Sequence, residues 1–262
     1  MVLTVCFDVL QTCFSLEPLV DAMEEVMGEQ LRAAGSGPRS VVLDWFHSAQ
    51  RDFTMLSVIS APPPPIAQIL KLTLPRALTY ALTSTHPTDV SLTSTSLPSL
   101  DKITSTLTSL SPAPGLVEAW TKLHEAGAKV ILVTNGSEAT TRGYVKNAGL
   151  EKLVDRVASC DDVGAAKPDA RVYARAHQVC FEEGGVKDQG DRWFVACHTW
   201  DLAAARYNGF KTGLVLCEQP PIGEADRKSL TDQYWGLYGG KPDVVGADLE
   251  KVISEILESR PA

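Results

Sequence analysis

No Cys-x-x-Cys pair occurs in the 262 residues, although there are six cysteines: Cys6, Cys13, Cys160, Cys180, Cys197 and Cys217. They are scattered, several of them inside apolar runs where cysteine behaves as a small hydrophobe, and they read as free thiols in a reducing compartment. The N-terminus lacks a basic region followed by a long apolar core, and no apolar run reaches the roughly 18 residues of a membrane span. Lysine and arginine form no cluster in a chain of formal charge −8 and pI near 5.2, which argues against a polyanionic partner. These absences lead to the expectation of a soluble cytoplasmic protein with no nucleic-acid and no membrane partner.

What is present starts with Val2-Leu3-Thr4-Val5-Cys6-Phe7-Asp8-Val9-Leu10-Gln11-Thr12, a nearly continuous apolar run interrupted by one carboxylate. Such a run reads as a strand buried on both faces, the pattern of a parallel sheet. Ligands of open α/β sheets sit at the carboxyl ends of strands, so Asp8 either meets a small molecule or merely starts a turn. With 44% hydrophobic residues, the chain can bury the core of one large α/β domain carrying a sizeable insertion.

Helical periodicity governs Glu17 to about Leu82, in three segments. Leu19, Met23, Val26, Met27 and Leu31 share a face of the first; Val41–Leu56 forms the second; Ile66–Leu82 the third, after Pro62–Pro65. Between Ser84 and Pro114 the chain is rich in Ser, Thr and Pro. Leu100, Ile103, Leu107 and Leu110 nevertheless keep helical spacing behind a cap candidate at Ser99, while residues 84–98 read either as part of this block or as a solvated arm. From Gly115 onward strand and helix alternate. Helices are expected at Leu116–Glu125, Thr140–Ala148, Asp169–Phe181, Leu202–Tyr207 and Leu249–Glu258, and strands at Lys129–Thr134, Arg156–Ser159, Trp193–Cys197 and Thr212–Leu216. Repeated β-α units predict a doubly wound parallel sheet with a Rossmann-like core. The first strand belongs to that core, so the helical block is an inserted cap: residues 1–14 and 113–262 form the core domain and residues 15–112 the cap, placed over the strand end that carries Asp8.

Three further strand ends bring polar residues. Thr134-Asn135-Gly136 could hold an anion or be an ordinary turn. Lys167 precedes Pro168, which is expected to start a helix; a lone lysine could equally be a solvated charge. Asp201 follows His198-Thr199-Trp200 at a helix start, where it could simply face the helix dipole.

An Asp on the first strand, Thr on the second, Lys before Pro, and Asp after the fourth strand is the motif order of the haloacid dehalogenase-like hydrolase superfamily, which the chain resembles throughout its core. Phe7-Asp8-Val9-Leu10-Gln11-Thr12, Thr134-Asn135-Gly136-Ser137, Lys167-Pro168-Asp169-Ala170-Arg171-Val172-Tyr173 and Trp200-Asp201 with Ala205–Phe210 resemble the motifs of the type II (S)-2-haloacid dehalogenases. The resemblance implies a hydrolase that displaces halide from a small 2-haloalkanoic acid. Asp8 would be the nucleophile, Lys167 the cation that keeps it ionised, and Asp201 the group that orients or deprotonates water. It further implies that Thr12, Thr134 and Asn135 hold the substrate carboxylate, that Tyr173 lines the pocket, and that neither metal nor cofactor is needed. A homodimer through the cap helices, as in relatives, stays open. Phosphatases of the superfamily carry a second Asp two residues after the nucleophile to protonate an alkoxide; here that residue is Leu10. A halide leaves without a proton.

The chain departs from the pattern in several places. Ala196 and His198 stand where the dehalogenases commonly have Ser and Asn, so His198 could replace the amide, act as a base, or be structural. The cap Arg beside an aromatic that receives the halide has its nearest match at Trp45-Phe46, where Phe46 takes its place; Arg39 and Arg51 are out of register. Gln11 replaces a small residue. The alternatives are a member acting on another small substrate, as a phosphohydrolase or strained-ring hydrolase, and a non-catalytic relic.

Overall fold

The computed structural model describes residues 2–59, 62–83, 100–184, 191–218, 223–233 and 235–260. In chain order the elements are β1 (Thr4–Phe7), β2 (Phe14–Ser15), α1 (Glu17–Ala33), α2 (Pro38–Ile59), α3 (Ile66–Thr83), α4 (Asp101–Thr106), β3 (Ser111–Pro112), α5 (Leu116–Glu125), β4 (Lys129–Thr134) and α6 (Glu138–Asn147). They continue with β5 (Arg156–Ser159), α7 (Ala170–Gly184), β6 (Arg192–Ala196), α8 (Thr199–Tyr207), β7 (Lys211–Val215), α9 (Glu224–Asp232), β8 (Val244–Gly246) and α10 (Leu249–Glu258). The chain divides into two compact units, one of Met1–Ser15 with Pro112–Ala262, the other of Leu16–Ser111.

The first unit is built on a six-stranded sheet in the order β5-β4-β1-β6-β7-β8, parallel throughout. The predicted α/β class and parallel sheet are therefore the observed ones. From β1 the chain winds outward through β4 and β5, then returns to β6 on the other side of β1 and winds the opposite way. The winding reverses at β1, and in open α/β sheets that switch point opens a crevice beyond the strand ends. Phe7 lies opposite both Leu132 and Val195, so Asp8 is the first residue past the central strand, its N–H bonded to the Val195 carbonyl at 3.0 Å.

Strand alternation sorts the core into two layers. Phe7 meets Trp120 of α5 edge-on at 6.0 Å. Cys6, Ile131, Val133, Phe194 and Ala196 pack in one cluster with Val172, Tyr173, Ala176 and Cys180 of α7 and Leu202 and Ala205 of α8. Asp8 shares the parity of Cys6 and is thereby directed to the α7 and α8 side. On β7, Gly213 admits α10 closely: a Cβ there would stand 2.8 Å from Val252 Cγ1 and 3.2 Å from Val195 Cγ2.

The apolar run at the N-terminus is not one strand. After Phe7 the backbone closes on itself: Cys13 and Phe14 both donate to the Val9 carbonyl, Gln11 donates to the Phe14 carbonyl, and Gln11 takes a left-handed φ of 68°. Burial produced the hydrophobic pattern, since Val9, Cys13 and Phe14 are inaccessible, but extended pairing did not. Pro168 does not begin a helix either. α7 starts at Ala170, after a turn in which Asp169 donates to the Ala166 carbonyl and its carboxylate accepts the Arg171 N–H at 2.9 Å. Strand β8 and helix α9 were not anticipated; β8 has three residues and α9 is largely polar.

The second unit is helical. Leu19, Met23, Met27 and Leu31 of α1, Val42, Phe46 and Phe53 of α2, and Leu70, Leu74 and Leu78 of α3 are buried. The Trp45 indole N–H reaches the Leu70 carbonyl at 3.0 Å and ties α2 to α3. Ser99 and residues 84–98 lie outside the described residues. Among the described residues no helix is long and apolar enough to cross a membrane.

Candidate active site

Lys167 is the centre of the polar cluster in the first unit. Its N–H is fixed by the Asn135 side-chain oxygen at 2.9 Å, an atom that also accepts from the Cys160 thiol at 2.9 Å, so the turn after β4 holds the loop before α7. The Lys167 ammonium lies 2.8 Å from Asp8 Oδ1 and 2.8 Å from Asp201 Oδ2. It also stands 5.2 Å from the centre of the Phe194 ring, where a cation is attracted to the π face.

Each carboxylate has a second anchor. Asp8 Oδ2 accepts from the Thr12 hydroxyl at 2.7 Å, and that hydroxyl in turn accepts the Cys197 N–H at 3.0 Å. Asp201, in the first turn of α8, receives the Tyr173 hydroxyl on Oδ1 at 2.5 Å. Lys167 and Asp201 are wholly buried, whereas the Asp8 side chain keeps 9% of its surface. Asp8 is therefore the accessible carboxylate of the pair.

Burial alone would push both carboxyls upward. For Asp8 the Lys167 ammonium and the hydrogen bonds of Lys167 and Thr12 override it, and the pKa falls below the ordinary aspartate value. For Asp201 burial prevails over Lys167, helped by the charge of Asp8, and the pKa rises. Lys167 is held above the ordinary lysine value because Asp201 and Asp8 outweigh its own burial. Two neighbouring carboxylates are thus separated into a more acidic and a more basic member, the pattern of an acid–base division of labour.

The other anticipated residues fall as follows. Thr134 Oγ1 accepts the Gly136 N–H at 2.9 Å and retains a hydroxyl proton to donate. Ser137 caps α6 through the Thr140 N–H. Thr12, expected to hold substrate, gives its proton to Asp8, and Tyr173, expected to line a pocket, gives its proton to Asp201; both are buried and positioned on the carboxylates. His198 is buried, with Nε2 3.9 Å from Asp8 Oδ2 and its ring stacked on Trp200 at 5.5 Å. Phe46 belongs to the helical unit, its ring 5.9 Å from that of His47. Arg39 pairs with Glu17 in the same unit, and Arg51 lies 3.9 Å from Asp52. Sequence reasoning missed Cys197 and Phe194 as members of the cluster. The only signal for either was a place at or near the end of β6, which it read as core.

A family model described as haloacid dehalogenase-like hydrolase matches residues 15–185, about two thirds of the chain. The chain belongs to the haloacid dehalogenase-like hydrolases. Thr134, Asn135, Lys167 and Tyr173 lie inside the matched span of that family, and Asp8 and Asp201 lie on either side of it. Among curated proteins, the chain is similar to (S)-2-haloacid dehalogenase 4A of Burkholderia cepacia, at 32% identity over 136 residues, 52% of this chain and 54% of that protein. It is also similar to (S)-2-haloacid dehalogenase of Pseudomonas sp. (strain YL), at 35% over 103 residues, 39% of this chain and 42% of that protein. The chain spans about half the length of the curated relatives it matches. In fold it resembles the L-2-haloacid dehalogenase of Xanthobacter autotrophicus with chloropropionic acid covalently bound, at a TM-score of 0.71 and 19% identity over 99% of this chain and 100% of the other.

Proposed function

We propose that this haloacid dehalogenase-like hydrolase displaces halide from a small 2-haloalkanoic acid through a covalent ester on Asp8. The observation that carries the reading is the Lys167 ammonium held 2.8 Å from both Asp8 and Asp201, with Leu10 where a leaving-group acid would stand. The dehalogenase names of the curated relatives support the same reading.

In the first step an Asp8 carboxylate oxygen attacks the substrate carbon; the carbon–halogen bond breaks and the halide leaves with the electron pair. Lys167 keeps Asp8 ionised, and Thr12 fixes the carboxylate plane. The Thr134 hydroxyl and the turn it shares with Asn135 receive the substrate carboxylate. In the second step water attacks the ester at the Asp8 carboxyl carbon. Asp201, the more basic carboxylate, accepts the water proton, and Lys167 faces the negative charge that develops on the former carbonyl oxygen. Collapse breaks the bond from the Asp8 carboxyl carbon to the substrate oxygen, the departing alkoxide takes the proton held on Asp201, and the second water proton passes to solvent; this releases the 2-hydroxy acid and restores Asp8 as a carboxylate with one oxygen from water. Tyr173 and Lys167 orient Asp201 for this step.

A reducing cytoplasm is proposed for the protein because its six cysteines are free and five of them are buried. A homodimer is proposed from the exposed apolar side chains Met55, Val58, Ile59, Leu72 and Tyr80 of the helical unit; sedimentation at a single-subunit mass would refute it.

The covalent step is tested in H₂¹⁸O with enzyme in excess over (S)-2-chloropropionate. The first turnover should place the label on the Asp8 carboxylate and leave the product unlabelled, with halide released in step. Label in the product on the first turnover would refute the ester. No halide from a panel of 2-haloacids, with turnover of p-nitrophenyl phosphate instead, would replace the reading by a phosphohydrolase.

A further inference from the structure

Four of the six cysteines lie in pairs, and the two pairs differ in access. Cys6 of β1 and Cys180 of α7 bring their sulfurs to 3.4 Å, both sealed in the core. Cys197, the residue after β6, and Cys217, in the turn Leu216–Glu218 after β7, have their thiols within hydrogen-bonding reach of each other. Of these four, Cys217 alone is partly exposed. A buried thiol is inert toward oxidants, whereas one that reaches solvent beside a second thiol can be oxidised and then resolved by its neighbour.

The sheet brings the second pair together. β6 and β7 are hydrogen-bonded neighbours in parallel register, with Ala196 opposite Leu214, so Cys197 leaves its strand beside the one that leads to Cys217. The two sulfurs also converge on one peptide. Cys217 donates to the Gln11 carbonyl at 3.3 Å, and Cys197 Sγ lies 3.4 Å from the Thr12 hydroxyl oxygen. Thiols already in contact reach the bond length of about 2.05 Å by turning their side chains toward each other.

A bond there would be felt at Asp8. The Thr12 hydroxyl oxygen accepts the Cys197 N–H at 3.0 Å, and the same hydroxyl gives its proton to Asp8 Oδ2 at 2.7 Å. The bridge removes the S–H that Cys217 gives to the Gln11 carbonyl and pulls Cys197 toward Cys217. Thr12, which fixes the Asp8 carboxylate, is thereby disturbed through its own partner and through the residue before it.

We propose that Cys197 and Cys217 are a site of reversible disulfide formation, closed by hydrogen peroxide and opened by a dithiol, and that the closed form is slow in catalysis. The Cys217 sulfur attacks the peroxide; the O–O bond breaks, one water leaves, and a sulfenic acid remains on Cys217. The Cys197 sulfur then attacks the Cys217 sulfur; the S–O bond breaks, and the departing hydroxide takes the Cys197 proton as a second water. Two thiols and one peroxide become one disulfide and two waters. In a reducing compartment such a bridge is transient, the behaviour of a redox sensor. The loss of rate rests on the reading of Asp8 as nucleophile; the bridge does not.

Two measurements separate these. In the first, the native full chain, reduced and freed of reductant, is treated with hydrogen peroxide, alkylated with N-ethylmaleimide and digested without reductant. Mass spectrometry should find the peptides of Cys197 and Cys217 joined within one chain. The thiol titre in denaturant should fall from six to four, with Cys6 and Cys180 still reduced. Cys197 and Cys217 both alkylated, Cys217 carried on to sulfinic acid or joined to a second chain, or a bridge between Cys6 and Cys180 in its place would each overturn the site. In the second, halide release by the bridged protein should be lower by about tenfold or more, the scale of one displaced hydrogen bond to a charged group, and dithiothreitol should restore it. Cys217→Ser keeps a donor for the Gln11 carbonyl and cannot bridge, so peroxide should leave its rate alone. Equal loss in that variant, or a bridged parent as fast as the reduced one, would overturn the coupling to Asp8. A bridge in a protein that releases no halide even when reduced would refute the dehalogenase reading and leave the site standing; halide release without a bridge would do the reverse.

Discussion

Replacing Lys167 by Met removes one buried positive charge and nearly preserves volume. In the parent, the ammonium faces two carboxylates at 2.8 Å, with the Lys167 side chain 1% exposed. At an effective dielectric of about 20, a pair of charges roughly 4 Å apart is worth about 4 kcal/mol, and removing one partner of a buried pair costs roughly 3–5 kcal/mol because the remaining charge is stranded. The variant limits that cost by taking up a proton on one carboxylate. The sign of its pH dependence follows. In the parent, the lowered pKa of Asp8 contributes stability above the ordinary aspartate range, and this is lost as pH falls through the folded value. In Lys167→Met the raised carboxyl works the other way: the folded state binds the extra proton, so stability relative to the parent improves as pH falls toward 3.8, by up to about 1.4 kcal/mol per pH unit. Urea unfolding at pH 7.5 and pH 5 reads this directly. We expect a loss of roughly 3–5 kcal/mol at pH 7.5, a smaller loss at pH 5, and halide release reduced by at least about a thousandfold. Adding Asp201→Asn should recover stability but not activity. A Lys167→Met protein as stable as the parent at pH 7.5, or within tenfold of its activity, would refute the account of Lys167 as the charge that holds the two carboxylates together.

Two further outcomes test the division of labour and the packing. The acid limb of the halide-release rate should follow Asp201, whose pKa is raised, and Tyr173→Phe should move that limb to higher pH, since the Tyr173 hydrogen bond favours the ionised form; an unmoved limb with an unchanged rate would remove Tyr173 from the positioning role. Gly213→Ala should cost roughly 1–3 kcal/mol of stability through overpacking and so lower the thermal midpoint, because the new Cβ meets Val252 and Val195; an unchanged midpoint would show that α10 can shift away from β7.

The sequence by itself determined the architecture of the first unit. Its strands are buried on both faces and so appear as short apolar runs, and helices Leu116–Glu125 and Leu249–Glu258 were read with the bounds observed. The order of the Asp, Thr, Lys and Asp motifs carried the family resemblance, because each residue stands at a strand end or helix start that local pattern locates. Local pattern could not tell a buried turn from a buried strand, which is why residues 8–12 were read as extended; both bury the same side chains. Only the tertiary structure decided which partner each polar atom takes. Lys167 is 159 residues from Asp8 and 34 from Asp201, and no spacing along the chain says whether such a lysine is solvated or locked between them. The same holds for Thr12 and Tyr173, whose hydroxyls turn to the carboxylates, and for Cys197 and His198, brought to Asp8 by the register of β6 beside β1. The opposite shifts of Asp8 and Asp201 follow from a balance between burial and one shared ammonium, and that balance exists only once the strands are assembled.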